Sequence, residues 1–404
     1  MGSLSYFRVF VAVFLTSVLA CNRSSIVLQQ HVTLTNNLVV LPVRVSGSQE
    51  LPFILDTGAS VSVIDRPQAE SLGLAAAARG DVSTGGGDIK AADIKGLTLQ
   101  IGDLSLPDLN VLAIDLSGLS AGLGQRIAGI LGYDIFQRYV VEIDYAAGVV
   151  TLHDPGRYVA PSTGEIVPIT IEEQTPFVSV SILGSLAAPP AKLEFDTGKT
   201  GALTLVRQYV DKYPLLRPGQ HEVAITAGAL LPGKVPAAVA RIQGLQLGRF
   251  TVNDVVTMIV PDRDAADVSG TTVGILGGEL LKRFTVVLDY SRKQVILEPF
   301  STTVRGIRLQ DFQPMEFDMS GISLAAQGTD YRDYVVRAVI PGSPAAEADV
   351  AGGDHLTAIN GKPARELTLE QIRELFRRDG QAYALELRRG DAAIRAELRT
   401  RRLL

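Results

Sequence analysis

One short pattern occurs twice in this chain, and the repeat it belongs to points to a fold built from two copies of one unit. Phe53-Ile54-Leu55-Asp56-Thr57-Gly58 returns as Leu193-Glu194-Phe195-Asp196-Thr197-Gly198, with 140 residues between Asp56 and Asp196. Gly129-Ile130-Leu131-Gly132 returns as Gly274-Ile275-Leu276-Gly277, and the run from Arg138 to Tyr145 returns as Arg283 to Tyr290, now offset by 145. Between these landmarks, Gly96-Leu97 through Gly102 parallels Gly244-Leu245 through Gly248. An offset held this nearly constant across separate segments is the mark of a duplicated domain.

Each copy reads mainly as strand. Leu38 to Val45 opens the first copy, and Phe177 to Ile182 opens the second with clean apolar-polar alternation. Gly102-Asp103 between two alternating runs predicts a tight hairpin. Arg207 to Tyr213 predicts a short helix stopped by Pro214. Pro155 to Gly164, rich in Pro, Ser, Thr and Gly, predicts the connection between copies. A third unit follows a junction near Pro299 to Arg305. It has a strand at Tyr334 to Val339, turn residues at Pro341-Gly342-Ser343, an amphipathic helix at Leu369 to Arg377 and two closing strands. The predicted divisions are 1–20 for a leader, 26–157 and 165–300 for the two copies, and 307–402 for the last unit. With 404 residues, three domains fit the usual size range.

The repeated Asp-Thr-Gly carries chemistry. Two pseudo-symmetric strands can each deliver one carboxylate to a shared cleft. Glycine lets the chain turn tightly beside the carboxyl, and a buried threonine hydroxyl can tie the two loops together. Carboxyls about 3 Å apart cannot both ionise easily, so the pair holds one proton. One carboxylate then activates water while the other protonates the carbonyl under attack. No metal or cofactor is required. His31, His153, His221 and His355 are scattered without ligand spacing, and no phosphate-binding loop or nucleophile elbow is present. A net charge of −5 without a basic block argues against nucleic acid as partner.

At these residues the sequence resembles the retropepsin- and pepsin-like aspartic peptidases. Asp56-Thr57-Gly58-Ala59-Ser60 fits the family motif, and the two Gly-Ile-Leu-Gly segments resemble its second signature. The resemblance covers Leu38 to Pro299 and implies a mainly β fold of two pseudo-symmetric barrel lobes. It also implies an Asp56–Asp196 catalytic pair and an aspartic endopeptidase acting on extended polypeptide, with Thr57, Gly58, Thr197, Gly198 and Lys199 in the supporting loops. Two lobes in one chain imply that a monomer suffices. Two features depart from the pattern. Lys199 stands where the family has Ala, Ser or Thr, and it either points to solvent or lies near the pair and favours double ionisation. The candidate flap, Val82 to Ile94 around Gly85-Gly86-Gly87, lacks the tyrosine of pepsin-like flaps. The competing expectation is a catalytically silent peptide-binding scaffold of the same fold.

The stretch from Pro341 to Ala348 followed by Gly353 to Gly361 resembles bacterial PDZ domains, which are α+β modules that bind a polypeptide C-terminus along a sheet edge. The resemblance implies that Gly321, Ile322, Ser323 and Leu324 form the carboxylate-binding loop, with Asp349 replacing a usual glycine. A PDZ domain that only packs on the lobes is the competing expectation. Near the start, Arg8 precedes an apolar run that ends Val18-Leu19-Ala20-Cys21, and Cys21 is the only cysteine. This resembles a bacterial lipobox with Cys21 as the lipidation site. It implies a membrane-anchored lipoprotein of the cell envelope, facing the periplasm or exterior. The simpler alternative is a plain signal peptide with an incidental cysteine. The whole order resembles bacterial aspartyl-protease-family proteins.

Overall fold

The computed structural model describes residues 24–404 except 85–86, 186, 217–218, 221, 229–233, 262–271, 300–314 and 316. Cys21, the expected leader at 1–20 and the expected start of the third unit at 307 lie outside the described residues. Among the described residues no helix is long and apolar enough to cross a membrane.

Two lobes follow one plan. In the first, Glu50–Leu55 runs parallel to Gly129–Leu131, and Val63–Asp65 lies antiparallel on the other side of that short strand. In the second, Ala191–Phe195 runs parallel to Gly274–Leu276, with Leu203–Val206 antiparallel beyond it. The repeated Gly-Ile-Leu segments are therefore the central short strands next to each Asp-bearing strand. They begin with glycine because backbone and rings press on them. A Cβ at Gly129 would fall on the Phe53 ring, and one at Gly274 would fall on the Thr204 carbonyl.

Each lobe also raises a long hairpin. Ala77–Thr84 pairs with Gly87–Ile101 in the first lobe, and Val223–Gly228 pairs with Lys234–Leu247 in the second. The sequence pointed to the first as a flap and missed the second. The Gly102-Asp103 turn is as expected, with Gly102 at φ 52°. The short helix predicted before Pro214 covers Arg207–Lys212.

The lobes are joined by their matched tails. Val140–Asp144 pairs antiparallel with Phe284–Asp289. The register is self-symmetric: Val141 faces Leu288 and Ile143 faces Val286, so each residue faces the repeat-mate of the other. The N-terminal strand Ile26–His31, which the sequence reading did not single out, extends this sheet along Val149–His153. Nearly all side chains on the inner face are fully buried, among them Val141, Ile143, Val286 and Leu288. One continuous apolar core runs through both lobes.

The third unit has its own core around Tyr334, Ile372 and Phe376. Its sheet runs in the order Ile322–Gln327, Asp333–Val339, His355–Ile359, Ala382–Arg389, Ala392–Arg399. Ile322–Gln327 is thus an edge strand. Helix Leu369–Phe376 starts with a reciprocal capping box between Thr368 and Gln371. Asp349 keeps the left-handed conformation of the glycine it replaces, at φ 58°, and its carbonyl accepts a hydrogen bond from Arg389.

The glycine at each central strand should be intolerant of change. Gly274→Ala places a methyl against backbone that cannot rotate away, and overpacking of this kind costs about 1–3 kcal/mol. Urea unfolding of Gly274→Ala should show a lower midpoint with an unchanged slope.

Candidate active site

Asp56 and Asp196 each follow the last residue of a buried strand, where the backbone is already fixed. Asp56 N donates to Leu131 O at 3.0 Å and Asp196 N donates to Leu276 O at 2.9 Å. The apolar-apolar-Gly signatures thus clamp the two aspartate loops through the main chain. Within each loop the glycine N–H reaches back to its own aspartate: Gly58 N to Asp56 Oδ1 at 2.8 Å, and Gly198 N to Asp196 Oδ1 at 2.7 Å.

The loops are bound to one another by the threonines between them. Thr57 Oγ1 donates to Phe195 O at 2.5 Å and accepts from Thr197 N at 3.0 Å. Thr197 Oγ1 donates to Leu55 O at 2.9 Å and accepts from Thr57 N at 3.0 Å. Both side chains are buried, so water does not compete for these bonds. Gly58 and Gly198 allow close approach across the axis. A Cβ at Gly198 would collide with the Asp56 carboxyl, and one at Gly58 would sit 3.1 Å from the Asp196 Cγ. A further tie comes from Asn37, whose side chain donates to Thr200 O at 2.8 Å and accepts from Lys282 Nζ at 2.9 Å.

The two carboxyls therefore lie close across the axis, and each affects the other's ionisation. Asp56 is pushed well above the usual carboxylate range, first by burial and then by the Asp196 charge. Asp196 is also raised by burial, but the nearby Lys199 ammonium and the hydrogen bond from Asp56 pull it back. The two aspartates sit in unequal surroundings, with the Lys199 charge acting on Asp196.

A cavity of about 970 Å³ opens over this floor. Its walls are apolar on both sides, with Ile89, Leu112 and Ile130 from the first lobe and Val239, Met258 and Ile275 from the second. Ile130 and Ile275 are repeat-mates. Lys199, half-buried, lines the same cavity. Gly321, Ile322, Ser323 and Leu324 also line this cavity. Cys21 lies outside the described residues.

Sequence reasoning missed three residues here. Glu194, buried in the second Asp-bearing strand, lines the cavity, and a Cβ at Gly58 would lie 2.8 Å from its Oε1. Aligning the repeat could have flagged it, because its mate is Ile54. Tyr145 and Tyr290 close the matched tails beneath the pair. Both hydroxyls are buried without a hydrogen-bond partner, and both phenols are pushed up by burial, with a contribution from the Asp196 charge. Among the described residues no cluster of His, Cys, Asp and Glu suited to a metal ion occurs.

A mainly β body with two Asp-Thr-Gly loops at a pseudo-two-fold axis defines an aspartyl-protease-like domain, and the appended sheet-and-helix unit defines a PDZ domain. Comparison with known families agrees: residues 41–135 match the aspartyl protease family model, and residues 335–389 match a PDZ domain model. The first match falls within the first lobe, and the second lobe is tied to it by the repeat and by the common strand plan. No curated protein matches the chain.

Two outcomes follow from the geometry. Thr57→Val leaves Thr197 N and Phe195 O buried without their partner, at about 1–3 kcal/mol for each unsatisfied group, and should lower the unfolding midpoint more than Thr163→Val at the surface. The carboxyl pair also sets a pH dependence. Both groups hold protons more tightly folded than unfolded, so their cost to stability is absent below the ordinary carboxylate range and grows as pH rises through it. Asp56→Asn should melt higher than wild type near pH 7, with the gap closing below about pH 4, in calorimetry across that range.

Proposed function

We propose that the chain is an aspartic endopeptidase that cleaves extended polypeptide at the Asp56–Asp196 pair. The observation that carries this reading is the close approach of the Asp56 and Asp196 loops, both lining an open, apolar-walled cleft. The two hairpins on either side suit a substrate held in extended form, because a strand-like peptide presents backbone groups and alternate side chains to both walls. Water between the carboxyls is activated by ionised Asp196. Protonated Asp56 donates to the scissile carbonyl oxygen as the water attacks, giving a tetrahedral diol. Proton transfer to the amide nitrogen then releases the two products. No covalent intermediate forms.

Lys199 supports this division of labour, because its charge favours the anion on Asp196 rather than on Asp56. The same charge supports a second reading, a peptide-binding scaffold that has lost turnover. A cation beside the pair favours ionisation of both carboxyls, which removes the proton that the general acid needs. The lobes and the PDZ domain both bind peptide in either reading. For location, the Val18-Leu19-Ala20-Cys21 segment supports lipidation at Cys21 and a membrane-anchored protein outside the cytoplasm.

Incubation of the mature protein with a diverse peptide library from acid to neutral pH separates the two readings. Turnover should fall by about 10²–10⁴-fold in Asp56→Asn, the usual range for loss of an acid–base group. Peptide binding without cleavage at any pH would favour the scaffold. In Lys199→Thr the carboxyl pair loses a neighbouring cation, so it keeps its proton to higher pH, and the alkaline limb of the pH–rate profile should move upward. An unchanged profile would show that Lys199 leaves the pair untouched.

A further inference from the structure

The PDZ domain binds peptide between its edge strand and its long helix, by adding a strand to the open edge. In this chain the groove between Ile322–Gln327 and Leu369–Phe376 is already covered. Helix Ser117–Leu123 of the first lobe packs along the edge strand. Arg373, on the long helix, donates from Nη2 to the Gly122 carbonyl at 2.6 Å, which satisfies a carbonyl at the end of the lobe helix. At Gly124 the lobe chain turns left-handed, at φ 73°, and passes so close to the start of the long helix that a Cβ there would lie 2.5 Å from Leu369 Cβ. Ala325 is buried although it lies outside the PDZ core, as expected for a strand residue covered from the other side.

The loop expected to hold a peptide carboxylate is also closed on itself. Asp318 Oδ1 accepts from Ser320 N at 2.9 Å, from Ser320 Oγ at 2.7 Å and from Gly321 N at 2.7 Å. Ile322 N donates to Ser320 Oγ at 3.0 Å. An internal carboxylate therefore stands where a chain end would bring its own. The end of the groove nearest this loop forms part of the wall of the catalytic cavity.

We propose that the PDZ groove docks in cis on helix Ser117–Leu123 of the first lobe, and that a polypeptide C-terminus binds there by displacing this helix. Displacement takes the Gly321–Leu324 wall away from the cleft, so a chain end acts as the signal that opens the site. That consequence rests on the reading of the cleft as a peptidase site, whereas the docking itself does not. The groove-competent fraction is small while the helix is seated, and apparent affinity falls in proportion to that fraction.

The test reads binding and needs no turnover. The full mature protein carrying Asp56→Asn is titrated with a pooled library of peptides about eight residues long with free C-termini, followed by anisotropy, beside the same library amidated. Gly124→Ala drives a methyl into Leu369 from the lobe side and leaves the groove chemistry alone. Ala325→Glu disrupts the contact from the PDZ side. Each should bind the free-acid library at least about tenfold more tightly than the parent, and the amidated library should gain nothing. Hydrogen exchange on the parent gives an independent reading that needs no further variant. Saturating free-acid peptide should strip protection from the amides of residues 120–124. Equal affinities in parent and variants, no binding to any of them, or a helix that stays protected with peptide bound would each overturn the proposal. None of these results bears on whether Asp56 and Asp196 cleave peptide.

Discussion

The reciprocal bonds between Thr57 and Thr197 are the constraint on which the site depends. Each threonine uses its hydroxyl as donor to the opposite strand and as acceptor from the opposite loop, so four hydrogen bonds cross the axis through two hydroxyls. Two carboxyls held this close would be driven apart without such a restraint once both were charged, since like charges repel strongly where burial lowers the local dielectric. The glycines matter for the same reason. Removing their side chains is what lets the loops cross this closely beside the two carboxyls.

Symmetry in the scaffold coexists with asymmetry in the charge. The backbone plan of the two lobes is the same, and the tails pair in a self-symmetric register. The surroundings of the two aspartates are not the same. Lys199 stands beside Asp196 where the first lobe has Ala59, and Glu194 faces the cavity where the first lobe has Ile54. A site built from two identical subunits cannot make such a distinction without the substrate. Duplication within one chain lets the two lobes give their aspartates different surroundings.

The repeat made the lobes legible because it samples the same physics twice: apolar strands, a turn glycine and a central short strand at matched offsets. The PDZ unit was legible because its turn residues and amphipathic helix fall at fixed places. Three things were hidden. The strand Ile26–His31 has no partner nearby in sequence, and its pairing with Val149–His153 is purely tertiary. The second hairpin has Pro232-Gly233 between its strands but no glycine run like the first, and the sequence reading passed over it. The unpartnered hydroxyls of Tyr145 and Tyr290 look like ordinary strand-end tyrosines in the sequence, and only burial marks them. The direction of Lys199 was open because a long flexible side chain obeys no pattern, and in the packed loop its charge acts on Asp196.

The sheet that joins the lobes has a consequence for how the protein is made. Val140–Asp144 has its outer neighbour Val149–His153 close at hand, but its inner neighbour, Phe284–Asp289, is translated much later. At the usual pace of about 5–20 residues per second, the first lobe waits several seconds with a flat apolar edge exposed. Such an edge is a template for pairing with the wrong chain. A second lobe that arrives on the same polypeptide is at high local concentration and claims that edge ahead of a neighbour. Covalent fusion of the two copies therefore protects the nascent chain as well as shaping the finished site.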